Sequence, residues 1–194
     1  MRITPPPGQV NDTREKILDL ADNLLRKRGY NAFSYKDIGE AIGIKTAAVH
    51  YHFPTKESLG AAVLEREIQA FRRNGADWKQ LPPEAQLGRL VRLFAGYRER
   101  SMVCIMGSLC PDYDTLPPRM QTELGTYSTD ILEWVTALLE EGRSSGALHF
   151  DGTPADRALL ILTALMSSLL LAKVTGEDTF NRMTTQLLND LIVC

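Results

Sequence analysis

The strongest constraint on the fold is a pair of short helical segments that share a glycine-containing turn, near the start of this 194-residue chain. Ser34 followed by Asp37 is a weak form of the capping box that begins a helix, and Gly43 supplies the left-handed residue that ends it. The second segment, from Lys45 to His52, has Val49 as its strongly apolar inward residue. A helix with one apolar anchor must be held by its neighbours, which leaves its outer face open. This pattern indicates a helix-turn-helix, although the same shape also occurs as a plain packing unit.

The outer face of the second segment suits contact with DNA. Its side chains offer an amine, hydroxyls and imidazoles without a carboxylate that would repel phosphate, and they belong to Lys45, Thr46, His50, Tyr51 and His52. The small residues Ala47 and Ala48 allow the backbone to approach base edges in a major groove that is about 12 Å wide. Lys56 follows at the start of the next helix, whose N-terminal amides also favour a phosphate. The segment therefore predicts double-stranded DNA as a partner.

Charge is distributed unevenly along the chain. Residues 1–75 contain twelve Lys and Arg against nine Asp and Glu, a balance of +3, whereas residues 76–194 carry a balance of −5. A basic front and an acidic remainder suit a protein that touches a polyanion with one end, and chance is the alternative explanation.

Apolar residues recur at helical spacing through the whole chain. The first helix is predicted to begin near Asn11–Thr13, to carry an apolar stripe, and to end at Gly29. Prolines at 82–83, 117–118 and 154 open later helices. We predict an all-α fold of about nine helices. Residues 1–10 form a flexible arm, residues 11–58 a three-helix helix-turn-helix domain, and residues 59–194 a larger helical domain.

The longest apolar run, Ala158 to Ala172, belongs to one of the later helices. It is shorter than the roughly eighteen residues expected of a membrane span. Because this helix is apolar on nearly every side, a four-helix interface between two copies of the chain would bury its second face, together with residues 178–193. A helix buried within one chain is the alternative. The N-terminus has no apolar region typical of a secretory signal, so we predict a cytoplasmic protein without a membrane partner.

Residues between 11 and 60 match a known pattern. The match includes Gly29-Tyr30, Phe33-Ser34, Asp37-Ile38, Ala41, Gly43-Ile44 and the run from Val49 to Leu59. These residues resemble the signature of the TetR family of transcriptional regulators, whose run typically reads Leu-Tyr-x-His-Phe-x-x-Lys-x-x-Leu. The resemblance implies a repressor that binds a palindromic operator as a homodimer. It also implies a C-terminal domain that dimerises and binds a small-molecule effector.

The resemblance implies roles for individual residues. It implies phosphate contacts for Tyr35, Lys45, His52 and Lys56, an approach to base edges for Thr46 and Ala47, and contacts to both backbone and bases for His50 and Tyr51. His50 replaces the usual tyrosine, so its reach is shorter and its charge depends partly on pH. A capping or core role is the alternative for His52.

The implied effector pocket has candidates among the aromatic and methionine residues of the larger domain, because such side chains adapt to the shape of a ligand. The candidates are Phe94, Tyr97, Met102, Met106, Tyr113, Tyr127, Trp134 and Met166, for each of which an ordinary core position is the alternative. Cys104 begins a Cys-x-x-Gly-x-Leu run that resembles a subset of the family, in which some relatives sense oxidants or electrophiles. A repressor that acts through Cys104 is therefore the alternative mechanism, and it requires a partly exposed thiol with a lowered pKa.

The sequence contains no Ser-His-Asp arrangement, no glycine loop that would hold a phosphate and no zinc-ligand spacing among its three cysteines. We therefore predict neither an enzyme nor a metal or other cofactor.

Overall fold

The computed structural model describes residues 7–176 and 178–192, with side chains from residue 12 onward. These residues form nine α-helices and one 3-10 helix, which confirms the predicted fold class. The α-helices are α1 (Pro7–Arg28), α2 (Tyr35–Ile42), α3 (Thr46–His52), α4 (Lys56–Trp78), α5 (Pro83–Glu99), α6 (Ile105–Leu109), α7 (Pro118–Ser145), α8 (Pro154–Thr175) and α9 (Asp178–Leu191). The 3-10 helix, Cys110–Thr115, follows α6 directly and was not predicted.

Helix α1 begins earlier than the sequence predicts. It starts at Pro7, where a proline is tolerated because an N–H in the first turn has no partner within the helix. Residues 7–10, predicted as part of a flexible arm, therefore belong to α1, and residues 1–6 of that arm lie outside the described residues. The helix ends before Gly29, whose φ of 93° is the left-handed conformation predicted there.

The first three helices share a compact core. Ile17 and Leu25 of α1, Ile38 of α2 and Val49 of α3 are all fully buried in it. Helix α1 also packs against α4 and α6, so the N-terminal unit rests directly on the larger helical part of the chain.

Helix α4 connects the two parts of the molecule. Its start is fixed by Thr55, whose hydroxyl accepts the N–H of Ser58 at 3.0 Å while the Ser58 hydroxyl accepts the N–H of Thr55 at 3.2 Å. The helix packs on α1 and on α7. Near its far end, a β-carbon on Gly75 would lie 3.2 Å from Nε1 of Trp134, so the indole ring of α7 rests against the α4 backbone.

Helix α8 is buried on one side and exposed on the other. Its buried residues pack against α7 and α9, whereas Leu160, Leu171 and Val174 are 58%, 52% and 86% exposed. The helix has 22 residues and is long and apolar enough to cross a membrane by length and composition. The prediction that this segment is too short for a span was wrong, because the helix extends beyond the apolar run at both ends. One such helix is weak evidence for a membrane span, since core helices of soluble proteins share these properties.

Candidate DNA interface and effector cavity

Local hydrogen bonds set the geometry of α2 and the turn that follows it. Ser34 accepts the N–H of Asp37 through its hydroxyl, and the Asp37 carboxylate accepts the N–H of Ser34 at 2.7 Å, which completes the predicted capping box. At the other end, Gly43 has a φ of 70° and Ile44 donates its N–H to the carbonyl of Gly39 at 2.9 Å. A β-carbon on Gly39 would lie 2.7 Å from the Ile44 carbonyl oxygen. The turn therefore depends on glycine at position 39 as well as at position 43.

Helix α3 is held by its apolar anchor and presents polar groups to solvent. Val49 is fully buried, whereas Tyr51 is 71% exposed. Lys45, Thr46, Ala47 and His50 are exposed as well. The structure thus leaves open five of the side chains that the sequence assigns to DNA contact.

The two histidines of α3 have different surroundings. His50 is exposed, and its Nδ1 lies 3.2 Å from the carbonyl oxygen of Pro54. His52 is half-buried, with its ring centroid 5.1 Å from that of Tyr51. Burial, and after it the positive charge of Arg14, hold the pKa of His52 below its usual value. In the DNA-free protein this shift favours the neutral imidazole.

Tyr35 does not occupy the position that a phosphate contact requires. Its side chain is buried, and its hydroxyl donates to the carbonyl of Phe53 at 2.8 Å. The Tyr35 ring also lies 4.6 Å from the ring of His50, measured between centroids. Tyr35 thus fastens the end of α3 to the start of α2. The predicted phosphate contact is wrong for this conformation, because the hydroxyl is engaged inside the domain.

The ammonium group of Lys56 already has several partners within the protein. It is half-buried, donates to the carbonyl of Phe33 at 2.6 Å, and holds its ammonium 4.9 and 4.5 Å from the ring centroids of Tyr30 and Phe33. Burial lowers the pKa of Lys56, although the nearby carboxylates of Asp112 and Asp37 oppose this shift. Because an ammonium has three donors, a phosphate contact by Lys56 stays a prediction.

A second candidate site is an enclosed cavity in the larger helical part. Its walls come from α4 to α8 and consist of Glu67, Leu93, Phe94, Tyr97, Cys104, Ile105, Met106, Tyr127, Ile131, Leu162 and Met166. Its volume is about 10 Å³, which is room for roughly one water molecule. The structure thus brings five of the candidates together around this cavity: Phe94, Tyr97, Met106, Tyr127 and Met166. Their role in binding an effector stays a prediction.

The other candidates for that pocket lie elsewhere. Met102 faces a shallow surface depression beside Arg98 and Lys173. Tyr113 is 43% exposed on the 3-10 helix. Trp134 packs edge-on against the rings of Phe71 and Trp78, outside the cavity wall. The prediction was wrong for these three, because aromatic and methionine content does not reveal which helix face a residue occupies.

Sequence reasoning missed Glu67, the charged residue in the cavity wall. It stands on the inner face of α4 between buried Val63 and Phe71, each four residues away. An acidic residue on the apolar stripe of a helix was the available signal, because a buried carboxylate requires partners. Those partners, Arg26 and Tyr97, come from distant parts of the chain.

Cys104 is a capping residue in this structure. Its thiol is buried and accepts the N–H of Gly107 at 3.4 Å at the start of α6. Burial raises the pKa of the Cys104 thiol to about 11, despite the hydrogen bond from Gly107. Both properties are the opposite of those that a sensing cysteine requires. The Cys-x-x-Gly spacing is matched here by the capping contact, in which the Gly107 N–H donates to the Cys104 sulfur.

The exposed face of α3 and the tight turn before it define a helix-turn-helix protein of the DNA-binding class. The family model described as "Bacterial regulatory proteins, tetR family" matches residues 17–63. A solved TetR transcriptional regulator from Legionella pneumophila is 30% identical with a TM-score of 0.81, covering 97% of this chain and 98% of that chain. The chain belongs to the TetR family of bacterial transcriptional regulators.

Further relatives support the same assignment over nearly the whole length. A TetR-family regulator of known structure from Agrobacterium tumefaciens is 26% identical with a TM-score of 0.88, covering 95% of this chain and 100% of that chain. The HTH-type transcriptional repressor NemR of Escherichia coli (strain K12) is 20% identical over 171 residues, which is 85% of this chain and 86% of the relative. These similarities extend beyond the helix-turn-helix, so the C-terminal helices share the family's architecture.

Proposed function

We propose that this protein is a homodimeric transcriptional repressor that binds a palindromic operator in the cytoplasm and is released when a small molecule enters the cavity between α4 and α8. The observation that carries the proposal is the outer face of α3. Its exposed amine, hydroxyls and imidazole are held by an apolar core and a glycine turn, which is the arrangement that a recognition helix needs.

The exposed side of α8 supports a dimer. Residues on this side recur at alternating intervals of four and three, which is the spacing of a helix seam that packs against a partner helix. They are Leu160, Ala164, Ser167, Leu171 and Val174. An open groove between α8 and α9 continues this surface, with Thr179 and Met183 on its other wall. A second copy of the chain would bury these apolar side chains by two-fold symmetry, without a lipid bilayer.

The DNA role is tested with Tyr51, which is exposed on α3. Operators are first selected from random duplexes with the wild-type protein, and affinity is then measured by fluorescence anisotropy at fixed salt. We expect Tyr51→Ala to weaken binding by about 1–3 kcal/mol, the usual effect of losing one specific contact. The matched control is Tyr113→Ala, because Tyr113 is also exposed but lies on the 3-10 helix. Equal affinity of the two variants, with helicity unchanged, would contradict the assignment of α3.

The dimer is tested with Leu171, which is 52% exposed in the single chain. We expect Leu171→Asp to remove about 0.8–1.5 kcal/mol of apolar burial per copy, or about 1.5–3 kcal/mol per dimer, and therefore to raise the dimer dissociation constant at least tenfold. Analytical ultracentrifugation over a concentration series measures this constant. Tyr113→Asp is the control for an added surface charge. A wild-type protein that sediments as a monomer at micromolar concentration would overturn this part of the proposal.

A further inference from the structure

Glu67 is held from two sides at once. One carboxylate oxygen accepts a hydrogen bond from Nη2 of Arg26 at 2.8 Å, and the other accepts one from the Tyr97 hydroxyl at 2.6 Å. Arg26 belongs to α1 of the DNA-binding unit, whereas Tyr97 belongs to the cavity wall on α5. The same carboxylate therefore joins the helix that supports the DNA-binding unit to the cavity.

Arg26 is almost completely buried, with 3% of its side chain exposed. Its Nε donates to Asp22 at 2.7 Å, and its guanidinium lies 4.8 Å from the centroid of the Tyr97 ring. The Val103 N–H also reaches the Arg26 carbonyl at 3.5 Å, just before α6. Burial disfavours the charge of Arg26, but attraction from Glu67 and Asp22 outweighs it and raises the pKa of Arg26 above its usual value.

Arg26 has two acidic partners, one on its own helix and one on α4. It faces the carboxylates of Asp22 and Glu67, which are only 22% and 14% exposed. The neighbouring Arg66 forms its shorter ion pair with the exposed Asp19, and lies 4.0 Å from Asp22. Arg26 therefore keeps an ion pair and a hydrogen bond with Asp22 when Glu67, still bonded to Tyr97, turns to another cation.

The surface beside Glu67 suits an organic cation. Phe94 and Tyr127 line the cavity next to it, together with Tyr97, whose ring already meets the Arg26 guanidinium. Aromatic faces attract cations. Burial raises the pKa of both tyrosines, so they supply neutral hydroxyls. At about 10 Å³ the cavity is closed, so a ligand must displace flexible side chains such as Met106 and Met166 and push the helices apart.

We propose that the effector is a small organic ammonium ion that takes Glu67 from Arg26, leaves Arg26 paired with Asp22, and thereby releases α1 from α4. This inference rests on the proposed function, because it assigns the ligand class and the release step of the same cavity. The ligand's N–H groups donate to the Glu67 carboxylate, and its apolar part replaces the methionine side chains.

The first test removes the charge of Glu67 without changing its shape. Glu67→Gln should lower operator affinity about tenfold in the absence of any ligand, because it mimics the released state. The matched control is Asp19→Asn, which removes an exposed ion pair between the same two helices. Loss of affinity in both variants, or in neither, would overturn the proposal.

The second test uses three probes that share a phenyl ring and a short chain: 2-phenylethylammonium, 2-phenylethanol and 3-phenylpropanoate. We expect the ammonium to raise the Tm of the wild-type protein and to weaken operator binding at least about fivefold, with the Asp19→Asn variant responding equally. The alcohol and the carboxylate should have little effect, and Glu67→Gln should abolish the response to the ammonium. An equal effect of the three probes, no effect of any of them, or a full response in Glu67→Gln would overturn the proposal.

These tests separate the inference from the proposed function. If the wild-type protein binds no DNA, the proposed function fails, while calorimetry of ammonium binding still tests the ligand class. If Glu67→Gln does not fold, a crystal structure of the wild-type protein with 2-phenylethylammonium decides the matter. The nitrogen should lie within hydrogen-bond distance of Glu67, and any other position overturns the proposal.

Discussion

The DNA-binding end and the cavity end of this protein hold their functional groups in opposite ways. At the DNA-binding end, capping hydrogen bonds and glycine turns between residues close in sequence leave α3 exposed. At the cavity end, Glu67 meets partners 41 and 30 residues away and almost no open volume remains. The surface proposed to meet DNA is thus preformed by local structure, whereas the proposed effector cavity is held by contacts between distant parts of the chain.

The largest expected effect concerns Arg26, which links the two ends. Arg26→Ala leaves Glu67 buried without its cation, and we expect the free energy of unfolding to fall by about 3–5 kcal/mol. Urea denaturation at fixed protein concentration measures this change. Arg72→Ala is the control, because Arg72 is 54% exposed in its ion pair with Asp130 and should contribute no more than about 1 kcal/mol. Similar losses of unfolding free energy in the two variants would contradict the comparison, because the Arg26–Glu67 ion pair would then contribute no more than a surface ion pair.

A smaller effect is expected at the local turn of the DNA-binding end. Gly39→Ala places a methyl group 2.7 Å from the Ile44 carbonyl oxygen, and we expect a loss of about 1–3 kcal/mol from overpacking. The Tm of thermal unfolding and the affinity for the operator should both fall. Gly125→Ala is the control, because its β-carbon meets nothing within 4 Å and alanine is favoured inside a helix. A stable Gly39→Ala variant with unchanged operator affinity would show that the turn tolerates movement.

The smallest effect is expected at the cysteines. The pKa of Cys104 lies near 11, so its thiolate is scarce at pH 8 and any stability that the buried thiol contributes is lost only as the pH rises from about 9 toward 11. We expect iodoacetamide at pH 8 to modify the exposed Cys110 and to leave Cys104 intact, as read by peptide mass spectrometry. Rapid alkylation of Cys104 in the folded protein would restore the thiol-sensing mechanism.

The same contrast explains what the sequence could predict. The capping box at Ser34, the glycine turn and the apolar anchor Val49 are local signals, and the structure confirms each of them. Tyr35 was misassigned because its hydroxyl finds Phe53 only after α2 and α3 have packed. Glu67 was missed because its partners come from α1 and α5, and their approach is set by tertiary packing that no local pattern records.

The continuity of α4 has a mechanical consequence. From Lys56 beside the recognition helix to Gly75 against Trp134, the helix forms a rigid rod of about 28 Å, at 1.5 Å per residue. A tilt of roughly 5° about the Trp134 contact would carry the Lys56 end through about 2.5 Å. In a symmetric pair, two such rods moving in opposite directions would change the separation of the recognition helices by up to about 5 Å, enough to disturb their register with successive major grooves.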